Sequence, residues 1–215
     1  MAVLSVVSLG TGSAEYLTRG GEAAMRNAKQ LVLRTGRSPI ASFLTEQGFD
    51  FDTLDDLYEQ CEDFDAFHQA AAVTLFSRMK EGDLCYVVSD AAFDGTVFAL
   101  QRLKPWDLEL RIVPGVSLAD CCLSLIKRQS GHVRIMSACE LEESKLLPDE
   151  PLLLCELYSR ECAGDCKLKL MELLPDELPV TLITGREEDG TLQAEEIPLM
   201  ELDRQEKYDH LMAVY

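Results

Sequence analysis

Hydrophobic positions in this chain fall in short, nearly unbroken runs, two of them stopped by glycine turns, with stretches of helical period between them. Leu4 to Leu9, Leu31-Val32-Leu33, Leu84 to Val88 and Leu110 to Val113 are such runs. Continuous apolar runs of this length fit strands buried on both faces of a parallel sheet. Between them, segments around Gly20 to Ala28, Ala66 to Lys80 and Thr96 to Leu103 read as helices. Ser38-Pro39 predicts a further helix start, with a capping residue before a first-turn proline, and Gly48 and Gly82 are placed as stops. Repeated strand and helix with short links predicts a mainly parallel sheet covered by helices. Two of the strands end in glycine turns, Leu9-Gly10-Thr11-Gly12 and Val113-Pro114-Gly115-Val116-Ser117. In open α/β sheets, ligands gather at such carboxyl-end turns.

Beyond Ser117 the pattern changes. Ser117-Leu118-Ala119-Asp120 has the form of a capping box, opening a helix from Leu118 to about Lys127 that bridges two subdomains. Strands are expected near Val133 to Met136, Leu152 to Leu157 and Val180 to Thr184, with a helix near Lys167 to Leu174. Asp189-Gly190 predicts a hairpin joining Leu182-Ile183-Thr184 to Leu192 through Ile197, and so a mixed or antiparallel second sheet. The fold class is therefore α/β, with subdomains at 1–115 and 116–215. The final run, Leu211 to Tyr215, is apolar and lacks a polar tail, which reads as a cut at a domain edge with a further domain after 215.

Composition narrows the function classes. Acids outnumber bases 38 to 20, a formal charge of −18, which argues against nucleic acid as the main partner. No apolar run reaches the roughly 20 residues of a membrane span, and the N-terminus has no basic signal region, so a cytoplasmic protein is expected. The eight cysteines include no Cys-x-x-Cys. Cys162 and Cys166 share a helix face but lack a second ligand pair, so reduced structural thiols are expected and no metal site. Cys85 and Cys155 read as small core hydrophobes.

Familiar catalytic constellations are absent: no Gly-x-Ser-x-Gly, no Walker loop, no His-Glu-x-x-His. His68, His132 and His210 are scattered, and no catalytic residue is assigned. Glu59, Glu62, Asp63 and Asp65 fit a solvated helix start, and Trp106 fits a packing anchor or a binding-cleft wall. Transfer of a group from an already activated cofactor needs mainly orientation and binding. Backbone turns and small residues suffice for that chemistry.

Val6-Val7-Ser8-Leu9-Gly10-Thr11-Gly12 and the following Ala14-Glu15-Tyr16-Leu17-Thr18 resemble the Val-Gly-Leu-Gly-Pro-Gly opening of the tetrapyrrole methylases and its continuation. Val113-Pro114-Gly115-Val116-Ser117 is similar to that family's Pro-Gly-Val-Ser turn. Leu33-Arg34-Thr35, Phe51 through Tyr58 and Glu195-Glu196-Ile197-Pro198-Leu199 resemble the methylase-type domain that precedes MazG-type nucleoside triphosphate pyrophosphohydrolase domains.

The resemblance implies two α/β subdomains with a ligand cleft between them holding S-adenosylmethionine, with S-adenosylhomocysteine as product. It implies cofactor contacts from Leu9 and Gly10 after the first strand, and from Ser117 and Leu118 at the second turn. Leu157 and Thr184 match positions near the adenosine. The family's Gly-Asp-Pro-like loop, which meets the methionine part, corresponds to Ser89-Asp90-Ala91-Ala92-Phe93-Asp94, so Asp90, Ala91 and Asp94 complete the set.

Ser8, Thr11, Asp90 and Ala92 depart from the family pattern, and a side chain in place of a glycine at 90 either obstructs the cofactor or pairs with its amino group. Two functions follow from the resemblance. One is a methyltransferase acting on a tetrapyrrole or another small heterocyclic acceptor, with anionic tetrapyrroles disfavoured by the acidic surface. The other is a non-catalytic binding or dimerisation module of a MazG-type pyrophosphohydrolase. A homodimer is implied in either case.

Overall fold

The first strand, β1 (Val3–Ser8), is buried on both faces because successive apolar side chains point to opposite sides of the sheet. The structure is a computed structural model describing residues 2–103, 105, 107–142, 146–147, 149–186 and 188–215. Trp106 lies outside the described residues. Among those described, the chain divides into two compact units, Met1–Ser117 with Glu187–Gly190, and Leu118–Arg186 with Thr191–Tyr215.

In the first unit, β1 is followed by α1 (Arg19–Asn27), β2 (Gln30–Leu33), α2 (Ile40–Glu46), β3 (Asp52–Thr53), α3 (Asp55–Gln60), α4 (Phe64–Arg78), β4 (Leu84–Val88), α5 (Gly95–Leu103) and β5 (Glu109–Val113). The sheet order is β3-β2-β4-β1-β5, and every pairing is parallel. Leu4, Val6, Leu84, Tyr86 and Val88 pack on one face with Phe67, Leu75, Val97 and Leu100 of α4 and α5. Val7, Leu31, Leu33, Cys85 and Val87 pack on the other with Met25, Ile40 and Leu44 of α1 and α2. Period-2 alternation along each strand thus feeds two separate cores.

Local signals differ from expectation at several points. The carbonyl of Ser38 accepts from Ala41, and α2 opens at Ile40 without a side-chain cap. β3 and α3 lie inside an acid-rich stretch from Asp50 to Asp65, where polar residues hid them. β5, expected as a buried strand, is the sheet edge: Ile112 is 42% exposed because only one neighbouring strand flanks it.

The second unit holds α6 (Leu118–Leu125), β6 (Arg134–Ser137), β7 (Leu152–Cys155), α7 (Arg160–Met171), β8 (Pro179–Gly185), β9 (Leu192–Pro198) and β10 (Ala213–Val214). Its sheet runs β6-β7-β10-β8-β9, with β6 and β7 parallel and the other pairings antiparallel. The predicted hairpin is present as β8–β9, closing with Gly185 opposite Leu192. α6 stops two residues short of the expected Lys127, which takes a left-handed φ of 57°. α7 begins seven residues before the expected Lys167, because the Ser159 hydroxyl caps it by accepting from Cys162 N at 3.1 Å. No helix among the described residues is long and apolar enough to cross a membrane.

Candidate functional site

Because β1, β4 and β5 run parallel in register, their carboxyl ends lie together. Ser8 pairs with Val88, and Val7 with Val113. The chain segments leaving these strands carry six of the expected contacts: Leu9, Gly10, Asp90, Ala91, Asp94 and Ser117. The first unit therefore brings those six to one end of its sheet.

Backbone bonds weld the first two segments. Leu9 N donates to Val88 O at 3.0 Å and Ser89 O at 3.2 Å, and Gly10 N donates to Ser89 O at 2.8 Å. Gly10 sits at φ 59°, where a side chain would strain the turn. Leu9 itself is 2% exposed and belongs to the core. Gly115 packs directly on the Ser8 backbone, so a Cβ there would collide with the Ser8 carbonyl oxygen. The Thr18 hydroxyl, which caps α1 by accepting from Gly21 N at 3.0 Å, also donates to Pro114 O at 3.4 Å.

The departures from the family pattern act together. The Ser8 hydroxyl accepts from Ala91 N at 3.0 Å. Asp90 Oδ1 accepts from Ala92 N at 3.0 Å, and Asp90 Oδ2 accepts the Ser117 hydroxyl at 2.6 Å. Asp90 is only 3% exposed, so its carboxylate is folded into its own loop. The role of Ser8 was missed in the sequence; its signal was a hydroxyl where the family motif has glycine. Thr11 Oγ1 is buried without a hydrogen-bond partner among the described residues.

Asp94 is fully buried and faces inward. Its Oδ1 caps α5 by accepting from Val97 N at 3.0 Å, and its Oδ2 lies 3.1 Å from Arg34 Nη1. His68 adjoins this pair, its Nδ1 2.9 Å from Thr96 Oγ1 and its ring against the Gly95 backbone. Burial pushes the His68 imidazole below its ordinary value; the Asp94 carboxylate opposes that shift and the Arg34 guanidinium adds to it. Asp94 thus anchors the loop from behind.

In the second unit, Leu118 opens α6 and is fully buried. Leu157 follows the strand from Leu152 as expected, but that strand ends at Cys155 rather than near Leu157, and Glu156 turns the chain at φ 64°. Leu157 is also fully buried, and its N–H donates to Met212 O at 3.0 Å. Thr184 lies in β8, paired with Gln193 and one residue beyond the Ala213–Ile183 pair. Thr184 therefore sits on β8, and Leu157, two residues past the end of β7, is bonded to Met212, the residue before β10.

Residues 3–185 match the sequence profile of the family described as Tetrapyrrole (Corrin/Porphyrin) Methylases. The chain is 28% identical over 216 residues to the uncharacterized protein YabN of Bacillus subtilis, covering 99% of this chain and 44% of that protein. It thus spans less than half the length of that relative. Among solved structures it resembles the cobalamin-biosynthesis precorrin-6Y methylase of Archaeoglobus fulgidus, with a TM-score of 0.67, 13% identity, and coverage of 99% and 95%. It likewise resembles uroporphyrin-III-C-methyltransferase of Thermus thermophilus, with a TM-score of 0.66, 16% identity, and coverage of 100% and 94%. The methyltransferase CobJ gives 0.69 at 15% identity, covering 100% and 93%. These structural likenesses establish the shared fold. The profile match, spanning most of the sequence, establishes more: this chain belongs to the tetrapyrrole (corrin/porphyrin) methylase family.

Proposed function

We propose that this chain binds S-adenosylmethionine and transfers its methyl group to a small heterocyclic acceptor. The observation that carries the proposal is the position of Asp90. A side chain at the family's glycine position threatens the cofactor only if it projects from the loop. Here it is folded back on Ala92 N and the Ser117 hydroxyl. The buried, unpartnered Thr11 hydroxyl suits a ligand with a polar group. Leu9, Gly10, Ala91 and Ser117 hold the methionine side of the cofactor, and Leu118, Leu157 and Thr184 are proposed for the rest. Asp94 is proposed as the anchor of the loop. When bound, the cofactor supplies an activated methyl on a sulfonium; the chain's part is to orient it toward the acceptor.

A second reading is favoured by the same bonds. Ala91 N, Ala92 N and the Ser117 hydroxyl, donors that a ligand carboxylate would use, already have protein acceptors. That self-satisfied loop suits a non-catalytic module within a longer protein, such as one carrying a MazG-type pyrophosphohydrolase domain. Calorimetric titration with S-adenosylmethionine separates the two. The first reading expects saturable binding, and Asp90→Gly tightening it by releasing Ser117. Absence of heat at millimolar cofactor, in both the natural sequence and Asp90→Gly, would eliminate the methyltransferase.

A further inference from the structure

The loop that carries Asp90, Ala91 and Asp94 runs straight into α5, and a side chain of α4 holds the junction. Asp90 O accepts from Phe93 N at 3.2 Å and from Asp94 N at 3.0 Å, so residues 90–94 form one closed turn. Asp94 O accepts from Val97 N at 3.0 Å and Phe98 N at 3.2 Å, which makes that turn continuous with the start of α5. A displacement at Gly95 or Thr96 is therefore passed back to Asp90 and Ala91. His68, on α4, grips both of those junction residues. Its Nδ1 lies 2.9 Å from Oγ1 of Thr96, which is fully buried. Its ring occupies the space that a Cβ at position 95 would need, so glycine there permits the approach. The Phe64 and Phe67 rings, with centroids 6.1 and 5.4 Å away, hold the imidazole from its own helix.

We propose that His68 is a positioning residue for the candidate cofactor loop: its neutral ring locks Gly95 and Thr96 in place, and its protonation releases them. Only the consequence for cofactor affinity depends on the function proposed above; the locking itself is a property of the loop.

The surroundings of the ring set the direction. The charged groups facing it are Asp94 from the loop, Arg34 from the end of β2 and Asp65 from α4 itself. α5 presents the Thr96 hydroxyl, and α3 presents the Tyr58 ring, which packs on Phe64 and Phe67. Burial acts most strongly, and with Arg34 it outweighs the support that Asp94 and Asp65 give the imidazolium. A neutral imidazole keeps one nitrogen as an acceptor, whereas the imidazolium only donates and carries a charge that burial leaves poorly solvated. The folded value thus lies below the ordinary 6.5, and the locked form is fully favoured above that pH. It loses ground as pH falls through 6.5 toward the folded value, because a released ring binds the proton more tightly.

The test is amide hydrogen exchange on the whole chain at pH 7.5 and 5.5, corrected for the intrinsic pH dependence of exchange. Protection of the Asp94, Val97 and Phe98 amides should fall at the lower pH, while the amides of β2 keep theirs. The midpoint of that loss should coincide with the titration of the His68 ring followed by NMR, a comparison that needs no variant. His68→Gln, uncharged at both pH values, should keep the protection and lose its pH dependence. In calorimetry, S-adenosylmethionine should bind more weakly at pH 5.5 than at 7.5, by at most about tenfold for the one pH unit below 6.5. Equal protection at both pH values, a midpoint apart from that of the His68 ring, or the same loss in His68→Gln would overturn the proposal. Absence of cofactor binding at both pH values removes the methyltransferase reading and leaves the exchange result to decide the role of His68.

Discussion

Asp94 shows how one buried carboxylate is made tolerable and then used. An isolated charge in the core is costly, but here one oxygen caps α5 and the other meets Arg34 at 3.1 Å. Asp94→Ala removes the cap and the counter-charge together, and is expected to cost about 3 kcal/mol. Asp94→Asn keeps an acceptor for Val97 N and should cost less. Urea unfolding of both variants checks the order; equal costs would remove the helix cap from the account. This clasp was not legible in the sequence, since Arg34 and Asp94 are far apart along the chain and meet only through the pairing of β2 with β4. Asp90 was legible as a departure, but not the direction of its side chain. Ser8 looked like a lost glycine until its hydroxyl was seen to hold Ala91 N.

Elements made of continuous apolar runs were readable because burial on both faces leaves a plain signature. β1, β4 and the glycine turns after β1 and β5 follow from local sequence, as does the β8–β9 hairpin from Asp189-Gly190. The exceptions depend on distant partners. β10 appeared as an apolar run, yet nothing local indicates that it lies between β7 and β8, with Ala213 opposite both Cys155 and Ile183. That position makes two residues hold one sheet together. Val214→Pro deletes a central ladder donor and should cost about 3 kcal/mol or more. Hydrogen exchange at Leu154 and Leu182, which flank Val214, should speed markedly. Unchanged protection at both amides would show that the sheet does not depend on β10.

For the molecule as a whole, buried thiols set a limit on the alkaline side. Burial raises Cys85 in the first unit from 9.0 to about 12, and Cys122 in the second by the same amount with a small addition from Cys121. Their folded values lie above the unfolded one, so the stability they lend is full below about pH 9. It drains away as pH rises toward 12, because the unfolded chain releases those protons first. Each thiol should contribute on the order of 1.4 kcal/mol per pH unit in that window. Cys85→Ala should flatten the pH dependence of unfolding free energy there, as read by denaturant titration at stepped pH. A slope unaffected by the substitution would place the alkaline limit elsewhere.

The central place of β10 also fixes an order of events during synthesis. All five strands of the first sheet have been made once the ribosome passes Val113, so that sheet has its full complement while most of the second unit is still untranslated. The second sheet has no such freedom: until Ala213 and Val214 emerge, β7 and β8 each present an open edge where β10 will later sit. Open edges are sites of wrong pairing. The nascent second unit is therefore the part of this protein with most need of a chaperone, for the interval between the emergence of β8 and that of β10.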